Sequence, residues 1–372
     1  MQTPTTLLVF ISMFAPEHDG GIRAFHLDTA TGRLAPASVT RDVPHPFFLA
    51  VSPDEKTLYS IWAKTFDGKD DEEVAAWRIV DRDGTLAPLN RRSSRGTAAC
   101  FLETDPTGRT LLVANYSNGS VASLPLAADG SLAAAATSFL RNEAAGSGVH
   151  PRQDAPHAHA IIPGPAVAGS DGRPAGIRFA YSADLGTDQI LCHRLDAATA
   201  TLSANSPAFT KSPPGGGPRH LAFDPAGRRL YVMNELSNSV SVYDFDPVTG
   251  GLTERQTIST LPAGFTGTTK TADVKITPDG RFLYGTNRGH DSIAIYGIAA
   301  DGRLSLVDIV TSHGAGPQNL AITPDGKLLL CANMPGNNVA VFRIDGASGR
   351  LALIGSPVEV KSPACIRILT KW

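Results

Sequence analysis

The sequence predicts an all-β fold, a seven-bladed β-propeller of four-stranded antiparallel blades that occupies residues 1–372 as a single domain. Three observations predict it. A phrase of the form Thr277-Pro278-Asp279-Gly280-Arg281-Phe282-Leu283-Tyr284-Gly285-Thr286-Asn287 recurs along the chain. A second turn, closed by leucine as in Asp301-Gly302-Arg303-Leu304, occurs seven times. The two chain ends each carry only part of a unit. A repeated supersecondary unit fixes the architecture before any single residue is interpreted.

The first phrase is a β-hairpin. Proline presets φ, aspartate bonds its own backbone and glycine supplies a positive φ, so Pro-Asp-Gly makes a tight turn. Other copies span residues 105–115, 224–234 and 323–333, and a worn copy spans 52–62, with Trp62 where the others have Asn. Apolar runs such as Leu221-Ala222-Phe223 and Leu230-Tyr231-Val232 flank the turns and read as buried strands. Next comes an alternating strand such as Ser239-Val240-Ser241-Val242-Tyr243. The leucine turn then leads into a closing strand, which makes four strands per unit.

The ends fit a ring. Leu7-Leu8-Val9-Phe10-Ile11 resembles a second strand with no hairpin before it, and residues 362–369 resemble a first strand with no blade after it. The C-terminal strand is therefore expected to complete the first blade and remove the open edges. Residues 142–182 are the one irregular stretch. They supply a long loop into the fourth blade, around Pro151-Arg152-Gln153, and a lengthened hairpin around residues 164–172. Loops on a rigid ring are where function tends to sit.

Composition narrows the class. Length alone suggests two or three domains, but blades share one ring and no linker separates them. A formal net charge of −2 gives no electrostatic case for nucleic acid. The N-terminus has no basic segment followed by an apolar one. No apolar run approaches the ~18–20 residues of a membrane span. The expectation is a soluble cytoplasmic protein, a monomer or weak homo-oligomer without membrane or nucleic-acid partners. Cys100, Cys192, Cys331 and Cys365 are scattered and read as reduced, buried thiols.

The repeat also serves as a ruler. Six residues before each turn proline stand Phe47, Cys100, His159, Arg219, Ala272 and Gln318. Just past the repeating Asn stand Ala63, Tyr116, Glu235, Arg288 and Met334, with Asp184 added by matching Ser182-Ala183-Asp184-Leu185 to Met233-Asn234-Glu235-Leu236. In an antiparallel hairpin the start of one strand lies beside the end of the next, so both sets face one rim. The ionisable members gather on the fourth to sixth blades: His159, Asp184, Arg219, Glu235 and Arg288, with Asp273 one step from Ala272. Such a cluster is a site hypothesis; an ion-pair network stapling the blades is the alternative. His157 shares a strand face with His159 and could pair with it at a metal, but no third ligand has suggestive spacing. His220 alternates away from Arg219 and is expected to pack between blades.

Gly216-Gly217-Pro218-Arg219-His220-Leu221-Ala222-Phe223, Asn234-Glu235-Leu236 and Asn287-Arg288-Gly289-His290-Asp291 resemble the seven-bladed propeller lactonase family. That family includes bacterial propeller-type 6-phosphogluconolactonases and carboxy-cis,cis-muconate cyclases. The resemblance implies a site without metal or other cofactor, with His159, Arg219, Glu235 and Arg288 as catalytic residues. His157, Asp184, Asp273, Asn287 and Gln318 are expected to bind substrate. Gln318 stands where family members often have Arg, which favours an unphosphorylated lactone. The implied function is hydrolysis of a sugar lactone, 6-phosphogluconolactone or a related aldonolactone, to its acid. Lactonising cycloisomerisation of a carboxy-muconate and a non-catalytic binding platform are the alternatives. Glu235 or His159 is the expected base, tuned towards neutral pH.

Overall fold

The computed structural model describes residues 6–133, 135–168 and 174–372. Seven antiparallel sheets form the blades. Blade 5 illustrates the unit: Pro218–Phe223 pairs with Arg229–Asn234, which pairs with Ser239–Phe245, which pairs with Leu252–Ser259. The C-terminal strand Pro363–Leu369 pairs with Thr6–Met13 and completes blade 1, as the chain ends predict. Blade 4 carries an additional ribbon, Ala166–Ala168 against Pro174–Ile177, in its lengthened hairpin. Residues 169–173 of that hairpin lie outside the described residues.

The strands nearest the ring axis are buried because neighbouring blades cover both faces. Leu328–Asn333, for example, is buried along its whole length. Packing of such strands between sheets supplies most of the apolar burial. Polar contacts join the two repeated phrases across blades. The tyrosine of one blade's second strand donates its hydroxyl to the glycine carbonyl of the next blade's leucine turn: Tyr59 to Gly130 (2.9 Å), Tyr181 to Gly250 (2.7 Å), Tyr231 to Gly302 (2.9 Å) and Tyr284 to Gly349 (2.8 Å). Gly302 adopts φ +81°, and a Cβ there would meet Arg229 Cδ at 2.0 Å, so this turn needs glycine.

The repeating asparagine is also structural. Asn115, Asn234 and Asn287 each donate to a serine five residues on, and Asn333 donates to Asn338. These bonds fasten the rim turn that follows the second strand in blades 3, 5, 6 and 7.

The innermost strand has one recurrent irregularity. In blades 3, 4, 5 and 7 the pairing skips one residue, at Cys100, His159, Arg219 and Gln318. In blade 6 the pairing shifts across Ala272 and Asp273. A β-bulge sets two residues against one and re-aims a side chain that regular alternation would send elsewhere. The six-before-proline position is thus a bulge repeated around one rim.

Candidate functional site

Glu235 follows the second strand of blade 5 and is 2% exposed. Arg219 comes from the bulge of the same blade's inner strand and is fully buried. Its Nε lies 2.9 Å from Glu235 Oε2. The bond is not aligned, however, so both atoms remain without a hydrogen-bond partner. Arg288, at the end of the second strand of blade 6, brings Nη2 to 3.1 Å from Oε1. Arg152, from the long loop into blade 4, places Nη1 on the same Oε1 and gives Nη2 to Tyr116 Oη at 2.8 Å. His159, from the blade 4 bulge, holds Nε2 3.7 Å from Oε2. The structure therefore brings together all four predicted catalytic residues and adds Arg152.

Electrostatics separate the roles. Burial alone would raise the Glu235 pKa, but the charges of Arg288 and Arg219, with His159 and Arg152, hold it well below the usual carboxylate range. Tuning towards neutral pH is thus corrected: this carboxylate is ionised and, before substrate binds, a weak base. Burial and then the Arg219 charge depress the His159 imidazole well below its usual value, so it is neutral near pH 7. Burial and Arg288 lower Arg219 to about 10, and it keeps its charge. Three guanidiniums thus face one carboxylate, leaving a surplus of positive charge.

Among the described residues, Arg219 Nη2 and Arg288 Nε have no hydrogen-bond partner, and Arg219 Nε and Glu235 Oε2 meet each other only as an ion pair. Buried N–H groups beside a carboxylate are donors that a polar ligand could take up. The same ion pairs also join Arg152 of the blade 4 loop, Arg219 and Glu235 of blade 5 and Arg288 of blade 6.

The remaining predicted residues divide. Gln318 is at the site, with Oε1 3.4 Å from Arg288 Nη1. His157 stacks on Tyr116 (ring centroids 4.5 Å apart) and its Nδ1 lies 3.1 Å from the Tyr116 carbonyl, so it buttresses a site wall. Asp184 is a correction. It pairs with Ala158 as Asn234 pairs with Pro218, one position away from the predicted match to Glu235. A slip of one residue turns a strand side chain to the other face. Asp184 instead accepts from the backbone of His157, Gly186 and Thr187 and from Asn142 Nδ2. Asn287 is a second correction, since Thr260 and Ser292 use both ends of its amide. Asp273 is a third. Its carboxylate is taken up by His220, Lys275, Asn319 and the Leu320 amide.

His220 packs between the adjacent blades, against His159 of blade 4 and Asp273 of blade 6, but it does not turn away from Arg219. The bulge sends it to the axis, where its ring meets Phe48, Phe101 and His159, and its Nε2 lies 3.0 Å from Arg219 Nη1. Arg152 escapes the ruler because it sits in the irregular loop, outside the repeat; that loop is its only signal.

Among the described residues no group of three or more His, Cys, Asp or Glu side chains converges to hold a metal ion. The four cysteines are buried and unpaired. No helix of the described residues is long and apolar enough to cross a membrane. An open cavity of about 1350 Å³ lies at the opposite rim, among hairpin turns that include Pro53, Lys56, Gly108 and Asp129. None of the cluster residues lines it.

Comparison with known proteins agrees with the fold. Residues 8–368 match the family described as Lactonase, 7-bladed beta-propeller. A 6-phosphogluconolactonase of Bacillus subtilis is 33% identical over 98% of this chain and 99% of its own. A 6-phosphogluconolactonase of Formosa agariphila is 30% identical over 97% and 99%. The solved structure of a periplasmic gluconolactonase from Pseudomonas aeruginosa superposes with a TM-score of 0.86 at 32% identity, covering 98% of this chain and 99% of that one. The chain belongs to the seven-bladed β-propeller lactonase family.

Proposed function

We propose that this member of the propeller lactonase family hydrolyses an aldonolactone to its acid at the Glu235 cluster, by general acid–base chemistry that calls on no metal. One observation carries this: buried, unpaired guanidinium N–H groups stand beside an ionised carboxylate and a neutral imidazole. These are the donors and bases that ester hydrolysis needs.

The lactone carbonyl oxygen takes the unpaired N–H groups of Arg219 and Arg288, which then stabilise the oxyanion as it forms. A water about 2.8 Å from both Glu235 Oε2 and His159 Nε2 fits across their 3.7 Å separation. Attack forms the new C–O bond, and the water's proton passes to the Glu235–His159 pair, whose titration is shared. The tetrahedral intermediate collapses by breaking the ring C–O bond. The pair returns the proton to the leaving alkoxide, which becomes the chain hydroxyl. Net positive charge among the arginines opposes protonation of the pair before substrate binds; the forming oxyanion offsets it.

Arg152 favours a second reading. A third guanidinium suits a polyanion, and carboxy-muconate lactonisation could use the same groups. One panel separates the two: acid release from glucono-1,5-lactone and its 6-phosphate, against ultraviolet loss from carboxy-muconate. Turnover of either lactone, abolished by Arg219→Ala, is the expected result. Turnover of the muconate alone would replace the hydrolytic reading.

A further inference from the structure

Resting on that reading of the cluster, we propose that His220 is a positioning residue: braced by Asp273, it fixes the Arg219 guanidinium in the orientation that receives the oxyanion.

The geometry sets the direction of each bond. Arginine N–H groups only donate, so Arg219 Nη1 gives its hydrogen to His220 Nε2 at 3.0 Å. His220 is then the tautomer protonated at Nδ1, and that N–H donates to Asp273 Oδ1 at 2.8 Å. Arg219 Nη1 also donates to the Ala272 carbonyl at 2.6 Å. With Nη1 doubly held and Nε against Glu235, Nη2 is left as a buried donor without a partner. The constraint on one side of the plane defines what the other side offers.

The brace itself is anchored. Asp273 takes Lys275 Nζ at 2.8 Å, Asn319 Nδ2 at 2.7 Å and the Leu320 amide at 2.9 Å. Asn319 in turn accepts from the Ile366 amide, on the strand that closes the ring, at 2.8 Å. The chain of bonds runs from blade 1 through blades 7 and 6 to Arg219 in blade 5. The His220 ring is clamped by Phe48 and Phe101 across the axis, at 5.8 and 5.2 Å. A residue needed only to fill the axis would not require an acceptor aimed at the guanidinium. Side chains that hold a reacting group in place commonly matter through such partners.

Two amides test this, because each keeps one end of the imidazole. Asparagine places its amide near Nδ1 and keeps the bond to Asp273, but it leaves Arg219 without its acceptor. Glutamine reaches the Nε2 position and restores an acceptor. His220→Asn is expected to lower kcat on glucono-1,5-lactone about 10–100-fold, by analogy with the loss on removing a partner that orients a metal ligand, with KM little changed. His220→Gln recovers most of that loss. Thermal unfolding of both variants checks that the ring is intact.

Arg219→Ala runs alongside. If it keeps wild-type turnover, the site assignment fails. If it is inactive while His220→Asn keeps wild-type kcat, or while His220→Gln is as slow as His220→Asn, the positioning role alone is overturned. A crystal structure of His220→Asn tests the role without turnover. The guanidinium must rotate away from its present place on Glu235, and an unmoved guanidinium overturns the role.

Discussion

Replacing Glu235 by glutamine removes one charge and almost no volume. In the native site the carboxylate meets Arg219 Nε at 2.9 Å and Arg288 Nη2 at 3.1 Å, with Arg152 on the same oxygen as Arg288. At an effective dielectric of about 20, one pair of charges about 4 Å apart interacts by about 4 kcal/mol. Three such attractions are largely offset by the several kcal/mol per ion needed to bury the charges. Removing one member of a buried pair nevertheless costs about 3–5 kcal/mol, because the partners stay buried and uncompensated. Glutamine still offers an acceptor oxygen, so the lower end, about 3 kcal/mol, is expected for Glu235→Gln. Loss of the proton acceptor should lower kcat by about 10²–10⁴-fold. The assays are acid release from glucono-1,5-lactone, corrected for spontaneous opening, and thermal unfolding with and without sulfate. With the carboxylate gone, the three guanidiniums should recruit the anion, and sulfate should raise the Tm of the variant more than that of the native chain. A variant with native kcat/KM, native Tm and no added response to sulfate would refute the assignment of Glu235 as both counter-charge and base.

Three further outcomes follow from the same geometry. Arg152→Ala removes a partly exposed guanidinium from Glu235 and Tyr116; loss of a charged hydrogen bond of about 1.5–3 kcal/mol should raise KM for anionic lactones by about 10–100-fold, with a smaller effect on neutral ones. The profile of kcat/KM against pH should be flat above 6.5, since Glu235 and His159 both titrate below their ordinary values while Arg219 stays charged to about 10; an acid limb at or above pH 6.5 contradicts these environments. Stability should decline as pH falls from 6.5, because the unfolded chain binds protons at His193 and His220 before the folded one, whose buried imidazoles are pushed down to about 4 and about 3. For His193 the loss approaches about 3 kcal/mol by pH 4, so His193→Gln should flatten the dependence of the urea midpoint between pH 7 and 4.

Ring closure and blade number are legible because turn chemistry and strand alternation repeat, and a repeat is read by comparison rather than by propensity. The same comparison locates Arg219, Glu235, Arg288 and His159, since each interrupts a pattern that other blades keep. It fails where the pattern itself has no anchor. Blade 4 lacks the regular hairpin, so motif matching sets Asp184 one residue out of register, at the rim position that Leu185 holds. Asn287 is the converse case. It belongs to the repeat, and its recurrence in blades without charge already marks it as a rim fastener. The bulges explain His220. Strict alternation turns it away from Arg219, whereas an inserted residue lets neighbours in sequence both serve the axis. Arg152 reaches Glu235 from a loop, and no periodicity reports where a loop side chain lands.

The most direct measurement is the position of a bound product. Crystals grown with gluconate should show its carboxylate at charge-assisted distance, about 2.7–2.9 Å, from the free N–H groups of Arg219 and Arg288, beside Glu235 and His159. Gluconate seated instead in the cavity among the hairpin turns of the opposite rim, with the arginine cluster unchanged, would contradict the account.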